Sequence, residues 1–431
     1  MIRERQQHEA KRDNPKSHRI NVAPSVEAAS ANRKQSRAER TGLLMTRVAR
    51  TYDTIVLGLG GMGSAAALHL AARGQRVLGI ERFSPAHDKG SSHGKTRVFR
   101  QAYFENPAYV PLLLRAYELW RKLEHDRDER LLFQTGGLMI GAPASTVVTG
   151  SIASARLHGL PHEILDSVEI TRRFPALHPP ANQIALHETC AGYLLVERCT
   201  LAHLDLAARA GAELHFDEQV VFWEQAGDRV SVKTSRGEYE AAHLVISPGP
   251  WAPQVLADLG LPLEVERQVL YWFQSSHGIE PFRPDRFPIY IWEKSDGTMP
   301  YGFPAIDGTE GGIKVAFHAA PVTTRCTADT VDRHVHAAEI DAMQNAIHGL
   351  IPSLDGPCIN AVTCLYTNTP DQNFILARHP AFDRVFIACG FSGHGFKFAS
   401  VIGEVLADLV ITGTTKFDIG FLDPARFMTP G

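Results

Sequence analysis

The stretch Thr54-Ile-Val-Leu-Gly58-Leu-Gly60-Gly61-Met-Gly63-Ser64 constrains the fold of this chain more than any other. An apolar run enters Gly58-x-Gly60-x-x-Gly63, an alanine-rich segment follows to Arg73, and a second apolar run from Arg76 closes on Glu81. That order reads as strand, tight turn, helix and strand. Gly58 permits the turn, Gly60 lets the backbone approach a pyrophosphate, and Gly63 lets helix and strand pack closely, with Gly61 inside the same turn. Unsatisfied N–H groups and the dipole at the helix start favour an anion there. Glu81, ending the second strand, can accept hydrogen bonds from a ribose. These residues define a dinucleotide cradle; they do not say which dinucleotide.

A chain of 431 residues can form two or three domains or one interleaved enzyme. The net charge of -3 hides an asymmetry, because residues 1–50 hold twelve Lys/Arg against five Asp/Glu. The positive charge lies off the part expected to fold, which argues against nucleic acid as a partner. No apolar run spans a bilayer; Val401 to Ile411 is interrupted by Glu404 and Asp408. Six cysteines without a C-x-x-C fit a reducing compartment, and no secretory signal is recognisable. A cytoplasmic location is expected, the C-terminal Met428-Thr-Pro-Gly431 lacking a peroxisomal signal.

Residues 1–50 are polar and basic, and are expected to be disordered. Met45 precedes the first strand closely, so an over-extended start is the simpler reading of this segment. The loop from Ser84 to Arg97 has the length and composition of a functional loop. From Leu263 to Phe317 the texture becomes β-rich, and an antiparallel sheet is the simplest account. Val230–Thr234 and Gly237–Glu240 read as a hairpin, Leu244 to Trp251 as a separate buried parallel strand, and Asp329 to Ile347 as a helix. His334 and His336 on that helix lack a third ligand, so no metal site is expected. Val385 to Cys389 followed by Gly390, Gly393 and Gly395 repeats the strand–glycine–helix junction, as a ligand lying across one sheet requires. Taken singly, Cys364 reads as a buried thiol. Arg100 and Lys397 read as surface or ion-pair residues. Lys314 reads as the exposed face of an alternating strand.

Three motifs change those readings. His93-Gly-Lys-Thr-Arg97-Val-Phe-Arg100 with Tyr103, Cys364-Leu-Tyr366-Thr-Asn-Thr-Pro-Asp371, and Gly390-Phe-Ser-Gly393-His-Gly395-Phe-Lys397-Phe-Ala-Ser400 resemble the monomeric sarcosine oxidase and N-methyltryptophan oxidase family. The resemblance runs from about Tyr52 to the C-terminus. It implies an α/β flavoenzyme, with a Rossmann-like FAD-binding domain interleaved with an antiparallel-sheet substrate domain. It implies FAD at the Gly58 loop, joined covalently to the Cys364 sulfur. Arg100 and Lys397 match the cations that grip a substrate carboxylate, and Lys314 the lysine that activates dioxygen. Arg97 and His93 match residues beside the flavin, Tyr301 and His318 line the pocket, and Tyr366 follows the flavin-linked cysteine. Lys95 departs from the family's usual Asp, the loop from Tyr301 to Lys314 is longer, and Pro248 and Pro250 flank an unusually proline-rich turn.

The division expected is an extension at 1–50, an FAD-binding part at 51–131, 200–266 and 372–431, and a substrate part at 132–199 and 267–371. The implied reaction takes a hydride from the carbon beside a neutral secondary amine to flavin, hydrolyses the imine and reduces dioxygen to hydrogen peroxide. Orientation by an arginine fork and a lysine carries much of the barrier reduction. A cation near the reduced flavin stabilises superoxide as it forms, and the cofactor does the bond chemistry. The partners implied are a small secondary amino acid and dioxygen, the protein itself a monomer. Rival readings are an NAD(P)-dependent dehydrogenase, another FAD-dependent amino-acid oxidase or dehydrogenase of pipecolate or D-amino acid type, and a non-catalytic flavin-binding protein.

Overall fold

The computed structural model describes residues 20–21 and 51–428. Thr51–Leu57 runs into helix Gly61–Ala71 and then strand Val77–Ile80, and the two strands pair in parallel from Thr54↔Val77 to Leu57↔Ile80. The alanine face of the helix lets a second helix come close: a Cβ at Gly403, in helix Ala399–Thr412, would stand 2.5 Å from the Ala65 carbonyl carbon. Glu213–His215 extends the parallel sheet beyond Val77–Ile80, and Glu238–Ile246 extends it on the other side.

Glu238–Ile246 corrects the reading of a hairpin arm and a separate buried strand, because it is one strand with two roles. One edge pairs in parallel with Thr51–Leu57. On the other edge its first half pairs antiparallel with Arg229–Thr234 and its last three residues pair in parallel with Val385–Ile387. A continuous extended segment satisfies its backbone groups whichever neighbour supplies the partner, so sequence texture alone did not show the join. Val220–Ala226 forms the outer arm, and Ile20–Asn21 pairs with its edge through Ile20↔Trp223 and Asn21↔Phe222. The expectation of disorder over 1–50 is corrected at those two residues: an edge strand's unpaired N–H and C=O groups accept an extended segment. The rest of that stretch lies outside the described residues.

A second nine-stranded sheet runs Thr324–Cys326, Glu264–Phe273, Ile313–Ala319, Met299–Gly302, Ile289–Trp292, Gly137–Gly141, Ile184–Glu188 and Glu163–Asp166, with Cys358–Asn368 on the other edge of Glu264–Phe273. It is antiparallel except where Ile289–Trp292 meets Gly137–Gly141 in parallel. A small third sheet, Thr96–Phe99, Gly192–Leu195 and Leu132–Gln134, carries the segment between the Gly58 loop and Arg100. Among the described residues no helix is long and apolar enough to cross a membrane.

The helix expected from Asp329 begins only at Ala337 and runs to Ile347. His336 is its N-cap, in a capping box with Glu339, and the backbone before it is drawn out by Arg267, which bonds the carbonyls of Asp332 and His334 at 2.6 Å each. His334 and His336 therefore do not share a helix face. Among the described residues no group of three His, Cys, Asp or Glu is placed to hold a metal ion.

Candidate active site

One cleft is lined by residues of both large sheets, among them Leu57 and Ile80 of the first and Ile291 and His318 of the second. Glu81, Arg82 and Trp251 line it, as do Arg97, Tyr301 and Tyr366. The glycine turn lines it too, and the cleft encloses about 1880 Å³ of empty space, its open mouth included. Gly58 has φ +84°, the left-handed conformation that glycine adopts without strain. A Cβ at Gly63 would stand 1.7 Å from the Gly58 carbonyl oxygen, whereas a Cβ at Gly60 would meet nothing within 4 Å, because it faces the cleft. Gly63 thus packs the turn and Gly60 leaves room for a ligand. Glu81, buried at 7% exposure, accepts from the Leu59 N–H at 2.9 Å and the Phe83 N–H at 3.1 Å, with His87 Nε2 at 3.4 Å.

Gly61, Gly393 and Gly395 line the same cleft. A Cβ at Gly393 would stand 2.2 Å from the Tyr366 ring, so glycine there lets the second junction close over the strand carrying Cys364. The Cys364 sulfur lies 3.4 Å from Arg97 Nη2 and 3.7 Å from the Ser91 carbonyl oxygen. Burial pushes its thiol up, but His93 and Arg97 outweigh that and hold it at about 6. His93 Nε2 is buried without a partner. Burial likewise disfavours the Arg97 guanidinium, yet Cys364, Tyr301 and Tyr366 together keep it firmly charged. A thiol held low beside the cleft-lining Arg97 and the open space at Gly60 both fit FAD.

Lys314, which strand alternation taken alone would put on an exposed face, is 3% exposed, because both faces of Ile313–Phe317 are covered. Its Nζ donates to the Gly94 carbonyl at 2.6 Å, the Thr96 carbonyl at 2.8 Å and Thr96 Oγ1 at 3.2 Å. The rings of Phe303 and Trp272 flank it, 4.8 and 5.6 Å from their centroids. Burial and the Arg97 charge draw its pKa well down, against Cys364 and Glu197.

Arg100 and Lys397 are both buried, at 1% and 5% exposure, not on the surface as their residue types alone suggest. Arg100 stacks on Tyr103 and Phe104, and its Nη2 lies 2.5 and 2.6 Å from the two Glu105 oxygens. Burial would raise the Glu105 carboxyl, but Arg100, His394 and Lys397 hold it down at about 2. Lys397 Nζ donates to the His394 carbonyl at 2.6 Å, and burial with the Arg100 charge lowers it to about 7. Burial holds His394 at about 3 and His318 at about 4, so both rings are neutral near pH 7. His394 Nε2 donates to the Gln372 carbonyl at 2.9 Å, leaving Nδ1 to accept from the Tyr103 hydroxyl. Both ring nitrogens of His394 are thus engaged.

The fold brings Gly58, Gly60, Gly61, Glu81, Arg97, Arg100, Tyr301, His318, Tyr366, Gly393, Gly395 and Lys397 onto one cleft wall. Gly63, His93, Lys314 and Cys364 stand just behind it. Sequence reasoning missed Glu105, Glu188 and Glu197. Glu188, 1% exposed, accepts from the Gln101 N–H at 2.8 Å and the Ala102 N–H at 2.9 Å, fixing the turn after Arg100. Glu197 occupies the first turn of helix Val196–Arg209, where an acid reads as ordinary dipole complementation. None of the three lies in a periodic or glycine-marked motif.

A family model described as "FAD dependent oxidoreductase" matches residues 53–409, and the chain belongs to that family. Within it, the chain is 55% identical over 377 residues to a monomeric sarcosine oxidase of Streptomyces avermitilis, covering 87% of this chain and 98% of the relative. It is 32% identical over 376 residues to an N-methyl-L-tryptophan oxidase of Salmonella enteritidis, covering 87% and 99%. Among solved structures, L-proline dehydrogenase from P. horikoshii superposes with a TM-score of 0.77 at 24% identity, covering 88% of this chain and 98% of that one, a likeness of fold. The expected α/β flavoenzyme architecture and FAD-dependent oxidoreductase class are both met.

Proposed function

We propose that this chain oxidises N-methyl or cyclic secondary α-amino acids, of the sarcosine or N-methyltryptophan kind, with dioxygen as acceptor. The observation that carries the reading is the pairing of two buried cations, Arg100 and Lys397, with the Arg97–Cys364–Lys314 group beside the same cleft. Bound FAD supplies hydride acceptance and electron transfer to dioxygen. Arg100 and Lys397 take the substrate carboxylate and so set the direction in which the amine-bearing carbon points. Tyr301, His318 and Tyr366 wall the space around that carbon and exclude water. Because His318 and His394 stay neutral near pH 7, they add no charge to repel an amine. Lys314 is the cation on the dioxygen side, and Cys364 holds the cofactor covalently.

Gly58, Gly60 and Gly61 hold the pyrophosphate, with Gly63 packing the turn that places it, and Glu81 holds the adenosine ribose. The chain works as a cytoplasmic monomer, its FAD part at 51–131, 200–266 and 372–431 and its substrate part at 132–199 and 267–371. A peroxide-coupled screen of sarcosine, N-methyltryptophan, pipecolate and primary amino acids tests the reading. Peroxide is expected with secondary amino acids and not with their primary counterparts. A yellow protein that releases none with any secondary amino acid sinks it.

A further inference from the structure

Gly94 and Lys95 both have positive φ, +88° and +69°, and their successive N–H groups converge on one carboxylate. Glu197 Oε1 accepts from the Gly94 N–H at 2.6 Å and from the Lys95 N–H at 3.0 Å, with Oε2 3.1 Å from the latter. This is the anion-binding concavity that consecutive amides form in such a turn. On the far side, Lys314 Nζ donates to the Gly94 carbonyl at 2.6 Å. The Lys95 N–H and the Gly94 C=O belong to the same peptide unit. One planar amide therefore stands between an anion at its N–H end and a cation at its C=O end, each polarising it toward the other.

We infer that Glu197 is a positioning residue for Lys314, its carboxylate fixing through the Gly94–Lys95 peptide where the ammonium sits and keeping it charged. The inference rests on the reading of Lys314 as the dioxygen-side cation. Lysine at position 95 is a costly choice for a left-handed backbone, and its N–H is bonded to Glu197 while its C=O accepts from the Val196 N–H at 3.0 Å. Its own side chain turns away to Asp307, Nζ to Oδ2 2.5 Å, while remaining 5.9 Å from the Trp272 ring that also flanks Lys314. The charged and titratable groups facing Lys314 are Arg97 and Lys95, which oppose its charge, and Cys364 and Glu197, which favour it. Cys364 loses that role once its sulfur is bonded to the cofactor, which leaves Glu197 as the anion of the set.

Glu197→Gln keeps an acceptor oxygen and removes the charge; Glu197→Asp keeps the charge at shorter reach. In the purified flavoprotein, the Lys314 titration midpoint is read by NMR of 13Cε-labelled lysine, assigned with Lys314→Met. It is expected to fall by about one pH unit in Glu197→Gln and by less in Glu197→Asp. Reoxidation of the pre-reduced protein by dioxygen should slow by up to about tenfold above the wild-type midpoint, while anaerobic reduction by sarcosine changes by less than about twofold. In a Lys314→Met background, Glu197→Gln should add nothing. An unchanged midpoint in either variant, or equal slowing of both half-reactions, overturns the inference. Lys314→Met reoxidising like the wild type would instead overturn the dioxygen-side reading, while the NMR midpoint still reports on Glu197.

Discussion

Arg100 and Glu105, five residues apart on one loop, form a buried ion pair with Nη2 2.5 and 2.6 Å from the two carboxylate oxygens. Glu105 thus holds one nitrogen of the guanidinium that the proposed function assigns to a substrate carboxylate, while Nη1 donates to the Ala102 carbonyl at 3.1 Å and Nε is buried without a partner. Removing one member of a buried pair costs about 3–5 kcal/mol. Glu105→Gln should therefore lower the unfolding temperature of the ligand-free protein, and a simple carboxylate such as propionate should restore more stability to the variant than to the wild type. Equal stabilisation of the two by propionate would show that the fork does not take the ligand.

Lys397 titrates near pH 7 because burial and Arg100 disfavour its charge. Its protonated form is the one that attracts a carboxylate, so affinity should be highest below about pH 7 and weaken as the pH rises through that value. Lys397→Met should remove this dependence. The dissociation constant of propionate followed from pH 6 to 9 by flavin absorbance checks both, and a flat wild-type profile rejects the assignment.

The Cys364 thiol is held at about 6 by His93 and Arg97. Arg97→Gln should raise it, and the alkylation rate of cofactor-free protein should then require a higher pH. In the wild type, acid precipitation should leave the yellow colour with the protein, and in Cys364→Ser release it to the supernatant. Colour lost from the wild type would end the covalent proposal.

Gly60 and Gly63 should respond differently to the same methyl group. Gly63→Ala forces its Cβ to 1.7 Å from the Gly58 carbonyl oxygen and should destabilise the fold by a few kcal/mol. Gly60→Ala has open space, so its unfolding temperature without cofactor should match the wild type, while FAD affinity falls. Equal loss of stability in both would contradict the division of labour between them.

Burial holds His203 at about 3 and His69 at about 4, and His203 is only 2% exposed. Both lie below the ordinary value of about 6.5, so the unfolded chain binds protons that the folded one refuses. Their effect is absent above about pH 7, and stability falls progressively as the pH drops from about 6.5 toward 3. For His203 the loss is on the order of 4 kcal/mol. Denaturant titrations at several pH values, compared with His203→Leu, measure it; the variant should show a shallower acid loss.

The glycine turn and the Cys364 and Lys397 motifs were legible from sequence because each obeys a local rule. A turn needs glycine at fixed offsets, and a short motif keeps its residues adjacent along the chain. The helix expected from Asp329 failed for a non-local reason: Arg267, 65 residues from Asp332, takes its carbonyl and holds the segment extended. The join within Glu238–Ile246 was hidden because the strand draws partners from three parts of the chain.

By itself, then, the sequence determined the βαβ cradle, the family and the residue types available for flavin chemistry. Only the tertiary structure decided that Lys314 is buried, that Glu105 pairs with Arg100 Nη2, and that Glu197 and Lys314 meet across one peptide. Such pairings bring together groups as far as 220 positions apart, and their strength comes from exclusion of water, which no local pattern of residues encodes.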